Sequence, residues 1–198
     1  ETDPVSDTIV TPALGFDLRN DGSTVQARVA GVVEHRNYLD NAYGSELLAE
    51  VDGMLNWVAV PGRLHFVVQD RLSVQPVSLA APDSPGNRQL TNVFAAGPTV
   101  FFRLGATVNG QAELRWIDTW AEDSAGFDSQ RLSLALRGAK QLGPGSTLSA
   151  NLQAQQVDIA DAELAPDYDR YDAFLRWRRN LRSFDLELDA GYSWLEFD

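Results

Sequence analysis

Apolar and polar residues alternate along almost the whole chain, over residues 10–194. Near the end of the chain, for example, Leu186 and Leu188 alternate with Glu187 and Asp189. Successive side chains of a β-strand point to opposite faces, so this pattern predicts strands with one apolar and one polar face. Ten such runs of roughly ten residues follow one another, and they predict an all-β fold.

The connections between these runs alternate between short and long. The short ones follow the odd-numbered runs (20–23, 60–63, 105–110, 141–146, 179–183), and the long ones follow the even-numbered runs (near 37–45, 75–90, 121–129, 157–169). Tight turns on one side and long loops on the other are typical of an antiparallel up-and-down transmembrane β-barrel, whose tilted strands need about ten residues to cross a bilayer. We predict one such domain over residues 1–198.

The same asymmetry places the start of the first run and the end of the tenth on the long-loop side. A bacterial outer-membrane barrel normally begins and ends on the side of the short turns. We therefore expect a larger barrel, with at least one more strand before Glu1 and one after Asp198.

Aromatic residues cluster near the ends of the predicted strands, where a membrane barrel carries its interfacial girdles. The predicted girdle residues are Tyr38, Trp57, Trp116, Trp120, Tyr171, Trp177, Tyr192 and Trp194. A soluble β-sandwich that binds glycans is the alternative, because its inward apolar faces would produce the same alternation. The two folds differ in whether the apolar side chains interleave in a dry centre or face outward.

Charged side chains are concentrated on the polar face of the predicted strands. The predicted lumen-facing wall consists of Arg28, Glu34, Glu46, Glu50, Asp52, Arg71, Glu113, Arg115, Arg131, Arg137, Asp172, Arg176, Arg178, Asp185, Glu187 and Asp189. Opposed arginines and carboxylates would shape the field across a pore, or would pair across neighbouring strands. In the last hairpin we expect Arg176 and Arg178 to pair with Asp185 and Glu187.

Composition excludes several classes of function. The net charge of −12, with Lys140 and fifteen arginines as the basic residues, argues against a nucleic-acid partner. Without cysteine the chain has no disulfide and no thiolate site. Neither His35 nor His65 lies in a metal-binding spacing, and no nucleophile or phosphate-loop motif occurs. We predict no catalytic residues, no metal site and no cofactor.

The long loops are acidic, with Asp40, Asp83, Glu122, Asp123, Asp128, Asp158, Asp161, Glu163, Asp167 and Asp169. Such loops could bind a partner or a divalent cation, although the run from Asp158 lacks the spacing of an EF-hand. We interpret them as solvated acidic loops.

Two stretches carry a resemblance to a known family: TIVTPALGFDLRNDGSTVQARVAGVVEHRNY (residues 8–38) and NVFAAGPTVFFRLG (residues 92–105), the second with its Gly97-Pro98 pair. In these strand motifs the chain resembles outer-membrane β-barrels associated with exopolysaccharide biosynthesis and exosortase systems. The resemblance implies a Gram-negative outer-membrane location, contact with lipid and lipopolysaccharide, and polysaccharide or export-machinery proteins as partners. It supplies no catalytic residues.

Our leading hypothesis is a porin-like passive conduit for polar solute or exported polysaccharide. The alternatives are a structural or assembly protein of the envelope, with a plugged barrel and partner-binding acidic loops, and the soluble glycan-binding sandwich.

Overall fold

The computed structural model describes residues 7–40, 43–82, 84–122, 128–161, 163 and 165–197. They form a single antiparallel sheet of eleven strands. The strands are β1 (Ile9–Val10), β2 (Ala13–Asp21), β3 (Val25–Tyr38), β4 (Glu46–Val60), β5 (Leu64–Pro76), β6 (Arg88–Leu104), β7 (Val108–Ala121), β8 (Ser129–Gly143), β9 (Ser146–Ile159), β10 (Tyr168–Asn180) and β11 (Asp185–Phe197). One short 3₁₀ helix, Pro85–Asn87, precedes β6. Within the described ranges, no helix is long and apolar enough to cross a membrane.

The sheet has up-and-down topology, because each strand from β4 onward pairs with the strand before it. β1 and β2 both pair with β3, in one unbroken register given by Val10↔Asn37 and Ala13↔Glu34. They correspond to the first predicted run, divided at Pro12. Proline has no N–H to donate to the ladder, whereas its carbonyl still accepts a 3.0 Å hydrogen bond from the His35 N–H. The ten predicted runs therefore appear as eleven strands.

The alternation of short and long connections is confirmed. The short connections are 22–24, 61–63, 105–107, 144–145 and 181–184, and the long ones are 39–45, 77–87, 122–128 and 160–167. Gly62 and Gly145 lie in two of the short turns with φ of 66° and 69°. This left-handed conformation costs glycine little, because glycine has no Cβ.

Most strands are longer than predicted, and β6 reaches 17 residues. Its first five residues, Arg88–Asn92, contain a single apolar residue, so no alternating pattern marks them as a strand. They are held by pairing with β5, from Pro76↔Arg88 to Leu72↔Asn92. The strands therefore extend beyond the segments in which hydrophobic periodicity is visible.

One face of the sheet is almost continuously apolar. Register places Leu114 opposite Leu134, Leu134 opposite Ala154, and Ala154 opposite Tyr171, which is paired with Trp194 in turn. We call this side the apolar face and the other side the charged face. A polar interruption of the apolar face is Asp70, whose carboxylate accepts a 2.9 Å hydrogen bond from the Asn92 side-chain amide.

Burial distinguishes the two faces. Among the described residues, the buried side chains of the strands are Tyr38, Gln89, Thr99, Ala121, Ser133, Ser149 and Val157, and register places all seven on the charged face. On the apolar face, large side chains such as Leu152 (54% exposed) and Trp194 (55%) are open. A sheet that curves toward its charged face would show this difference.

The β-sandwich alternative is wrong for the described part of the chain. A sandwich needs two sheets whose inner side chains interleave in a core about 10 Å thick. Here every strand belongs to one sheet, and no large side chain among the described residues is fully buried.

Candidate functional site: the charged face

All sixteen residues of the predicted wall lie on the charged face of the sheet. The cross-strand register establishes this, because residues that are paired across two strands point to the same face. These residues share a face because a strand side chain changes face at every residue.

The charges at β10 and β11 form a connected network. Arg176 binds Asp189 through two hydrogen bonds of 2.8 Å, and it lies 3.2 Å from Glu187. Arg178 donates to Glu187 at 2.8 Å. These pairs leave the arginines neutralised by carboxylates on the adjacent strand.

The expected partners in this hairpin were correct for Glu187 and wrong for Asp185. Register pairs Arg176 with Asp189 and Arg178 with Glu187, whereas Asp185 lies opposite Asn180. The difference arises from the turn, which occupies residues 181–184. A turn of this length shifts β11 along β10 relative to the register that we expected, so Asp185 does not lie opposite an arginine.

Two ion pairs on the first half of the sheet are open to solvent. Arg28 lies 2.9 Å from Asp17, and Arg71 lies 3.2 Å from Asp52 with 71% and 64% of the two side chains exposed. Exposed pairs of this kind contribute little to stability, typically about 0–1 kcal/mol. Their main effect is on the local field of the charged face.

Arg115 is the most extensively bonded arginine of the face, and only 16% of its side chain is exposed. It donates to the Pro98 carbonyl at 2.7 Å and to Thr99 Oγ1 at 2.6 Å, and it lies 3.4 Å from Glu113. It therefore supplies a hydrogen bond to the β6 backbone where the Gly97-Pro98 pair interrupts the ladder with β7. Its role is structural as much as electrostatic.

We expect Arg115→Met to lower the free energy of unfolding by about 1–2 kcal/mol, because it leaves the shielded Pro98 carbonyl without this donor. Arg71→Met, which removes an arginine from an exposed pair, serves as the matched control and should cost less than about 1 kcal/mol. Urea unfolding of the refolded protein in lipid vesicles measures both. Equal losses for the two variants would contradict the structural role of Arg115.

Tyr38 was predicted to belong to the aromatic girdle, and that assignment is wrong. It lies on the charged face, because it follows Glu34 by four positions along β3 and every second residue of a strand points to the same face. Its hydroxyl donates a 3.1 Å hydrogen bond to Glu46, which also lies 3.4 Å from Arg88. The whole residue is 8% exposed, with its hydroxyl bound to Glu46 and its ring centroid 5.4 Å from that of Tyr43.

The other seven predicted girdle residues all lie on the apolar face: Trp57, Trp116, Trp120, Tyr171, Trp177, Tyr192 and Trp194. Trp57 stacks on Phe66 near a short turn, with ring centroids 5.4 Å apart. Trp177, near another short turn, donates its indole N–H to Ser146 Oγ at 3.0 Å. An open groove of about 520 Å³, lined by Leu134, Leu152, Ala154, Tyr171 and Trp194, also lies on this face.

Several of the described loop carboxylates accept hydrogen bonds from backbone amides. Asp128 accepts a 2.8 Å hydrogen bond from the Ala121 N–H, and Asp167 accepts one of 2.7 Å from the Ile159 N–H. Asp83 and Asp123 lie outside the described residues. These contacts give Asp128 and Asp167 a role in ordering the loops.

Sequence reasoning missed the uncharged members of the charged face. Phe101 and Phe174 lie there, as do the amides of Asn151, Gln153 and Gln155 on β9. The β9 amides occupy the polar positions of an alternating run, so the sequence does indicate that they lie on this face. They were missed because only charged residues were assigned to the wall. His65 also lies on this face, with its ring centroid 5.0 Å from that of Phe101.

No protein-family profile matches this chain, and no curated protein matches it either. Among solved structures, the chain is similar to the crystal structure of Pseudomonas aeruginosa OccK10 (OpdN), with 14% sequence identity and a TM-score of 0.31. The similarity covers 97% of this chain and 92% of that chain. At this TM-score the similarity does not support any conclusion about the function of this chain.

Proposed function

We propose that this chain crosses a bacterial outer membrane as the strands of a porin-like β-barrel and acts as a passive conduit for polar solute. The observation that carries the proposal is the difference between the two faces of the sheet. Large apolar side chains cover one face and are exposed, whereas the charged face is the more shielded of the two.

An exposed apolar surface of this extent is unfavourable in water, because soluble monomers rarely expose contiguous patches beyond a few hundred Å². Hydrocarbon would cover the apolar face without requiring a second sheet. Strands in lipid must also satisfy their backbone N–H and C=O groups through their neighbours, as the ladders from β3 to β10 do outside the interruption at Gly97-Pro98.

The lengths of the strands fit this proposal. β10 and β11 each have 13 residues. At roughly 3.3 Å per residue and a tilt of about 40°, such a strand rises about 33 Å, close to the thickness of a bilayer core. The Trp57 and Trp177 rings would then meet one interface and the Tyr171, Tyr192 and Trp194 rings the other.

The charged face would line the interior, where arginines and carboxylates of both signs keep the wall wet and favour polar solute. Exported polysaccharide is the cargo that the family resemblance suggests. Lipid and lipopolysaccharide would contact the apolar face, and proteins of an export machinery would be the partners.

Planar-bilayer recording tests the conduit directly, and the absence of native cysteine allows site-specific blocking. Gln153→Cys places a thiol on the charged face and Leu152→Cys places one on the apolar face. We expect discrete current steps from the protein. A charged, water-soluble thiol reagent should reduce the current through the Gln153→Cys variant and react about tenfold more slowly with Leu152→Cys, because a thiol in hydrocarbon does not form a thiolate.

A correctly folded barrel without current would reject the conduit and favour the structural alternative with a plugged interior. Block through position 152 instead of 153 would reverse the assignment of the two faces.

A further inference from the structure

The charged face has one region in which arginines are present without carboxylates. On β8 and β9 this face carries Arg131 and Arg137 together with Asn151, Gln153 and Gln155. The acidic residue on these two strands, Asp158, lies on the apolar face opposite Gln130. This region is therefore rich in hydrogen-bond donors and positive in charge.

The two arginines differ from the other arginines of the wall. Arg28, Arg71, Arg115, Arg176 and Arg178 each lie within 3.4 Å of a carboxylate. The side chains of Arg131 and Arg137 have no hydrogen bond or ion pair with any residue in the described part of the chain. Their charges are available to a ligand.

Two buried hydrogen-bond donors in this region also indicate a ligand site. Arg131 Nε and Asn151 Nδ2 are both buried, and neither has a hydrogen-bond partner among the described residues. A buried donor without an acceptor costs about 1–3 kcal/mol, so such groups are normally satisfied by protein, water or ligand. Both groups here require acceptor oxygens.

Register aligns Arg137 and Asn151 with aromatic and amide residues in one row across five strands. The row is Phe101, Gln111, Arg137, Asn151 and Phe174, and we call it the arginine–amide row. Arg131 lies six residues from Arg137 on the same face of β8, a distance of about 20 Å along the strand. Two small residues, Ser133 and Ala135, separate the two arginines on this face of β8.

The chemistry of the row matches an acidic carbohydrate. Guanidinium groups bind carboxylates through charge-assisted hydrogen bonds, side-chain amides can donate to and accept from hydroxyls, and the phenyl rings offer apolar faces. Two carboxylates border the row, and both are already engaged. Glu113 accepts a hydrogen bond from Gln111 and lies 3.4 Å from Arg115, and Asp172, opposite Gln153, accepts hydrogen bonds from Arg170 and Ser193. Because each is paired with an arginine, they add little repulsion toward an incoming anion.

We propose that the arginine–amide row and Arg131 form a binding site for an acidic sugar polymer, with the arginines on its carboxylates and the amides on its hydroxyls. This inference rests on the proposed conduit and names the class of solute that its wall selects.

Calorimetric titration of the intact, refolded protein in detergent micelles tests the site without requiring an open pore. The probes are tetragalacturonate and the neutral maltotetraose. We expect tetragalacturonate to bind about tenfold more tightly than maltotetraose, because only the former forms charge-assisted hydrogen bonds. Its affinity should fall as salt is added.

The Arg131→Gln/Arg137→Gln variant should lose about tenfold in affinity for tetragalacturonate and little for maltotetraose. The matched control is Arg179→Gln/Arg182→Gln, which removes the same charge from a position on the apolar face and from a turn, and it should bind as the unmodified protein does. If the glutamine variant fails to fold, Arg131→Lys/Arg137→Lys keeps both charges and should lose affinity through its poorer carboxylate geometry.

Three results would overturn the site: no binding of tetragalacturonate, equal binding of the two probes, or equal losses in the site and control variants. Selective binding by a barrel that passes no current would instead reject the conduit and leave the site standing.

Discussion

Leu134→Arg is expected to lower the free energy of unfolding in lipid by about 2–4 kcal/mol, whereas Ala135→Arg should lower it by less than about 1 kcal/mol. Leu134 lies on the apolar face between Leu114 and Ala154. Its replacement would place a cation in hydrocarbon. Ala135 lies on the charged face opposite Glu113, where a cation remains in water beside a carboxylate.

The two substitutions are adjacent in sequence and introduce the same side chain into the same strand. Their difference in unfolding free energy therefore isolates the environment of the two faces. Urea unfolding in phospholipid vesicles, followed by tryptophan fluorescence, measures it. Equal losses, or a larger loss at position 135, would show that the Leu134 side of the sheet does not meet lipid.

The order of the strands and the two faces were accessible from sequence because both depend on local alternation. A residue's face follows from its distance along its own strand, and the charged wall needed no tertiary information. Pro12 illustrates the limit of this reasoning. The alternation continues through it, but the missing N–H divides one predicted run into β1 and β2.

Features that depend on pairing between strands were not accessible in the same way. The choice of Asp189 as the partner of Arg176 depends on the length of a turn, which a short polar segment does not determine. Tyr38 was assigned to the wrong face because its position near a strand end was given more weight than its spacing from Glu34. A spacing of four positions places the two residues on the same face of β3. The unpaired state of Arg137 is a property of three neighbouring strands, and no single run reveals it.

Gly97→Ala is expected to cost about 3 kcal/mol of unfolding free energy, because extra atoms in a tightly packed site force the backbone to move. Gly97 lies on β6 against the backbone of β7. A Cβ there would overlap the Leu114 carbonyl oxygen and come within 3.2 Å of Arg115 Cα. Both contacts are with backbone, so no side-chain rotation can relieve them.

Gly138→Ala is the matched control, since the nearest atom to its added Cβ would be Val108 Cγ1 at 3.9 Å. That variant should be neutral or slightly stabilising, because alanine loses less conformational entropy than glycine when a strand forms. Urea unfolding under the same conditions compares the two. A similar change in both variants would mean that the close approach at Gly97 is not a constraint on the fold.

The Gly97 substitution also provides a test of coupling to Arg115. If an added Cβ separates β6 from β7 at this point, the 2.7 Å bond from Arg115 to the Pro98 carbonyl is weakened. Arg115→Met should then cost less in the Gly97→Ala background than alone, by more than the roughly 0.3–0.5 kcal/mol within which independent sites add. Strict additivity would show that the hydrogen bond from Arg115 to the Pro98 carbonyl does not depend on the backbone contact at Gly97.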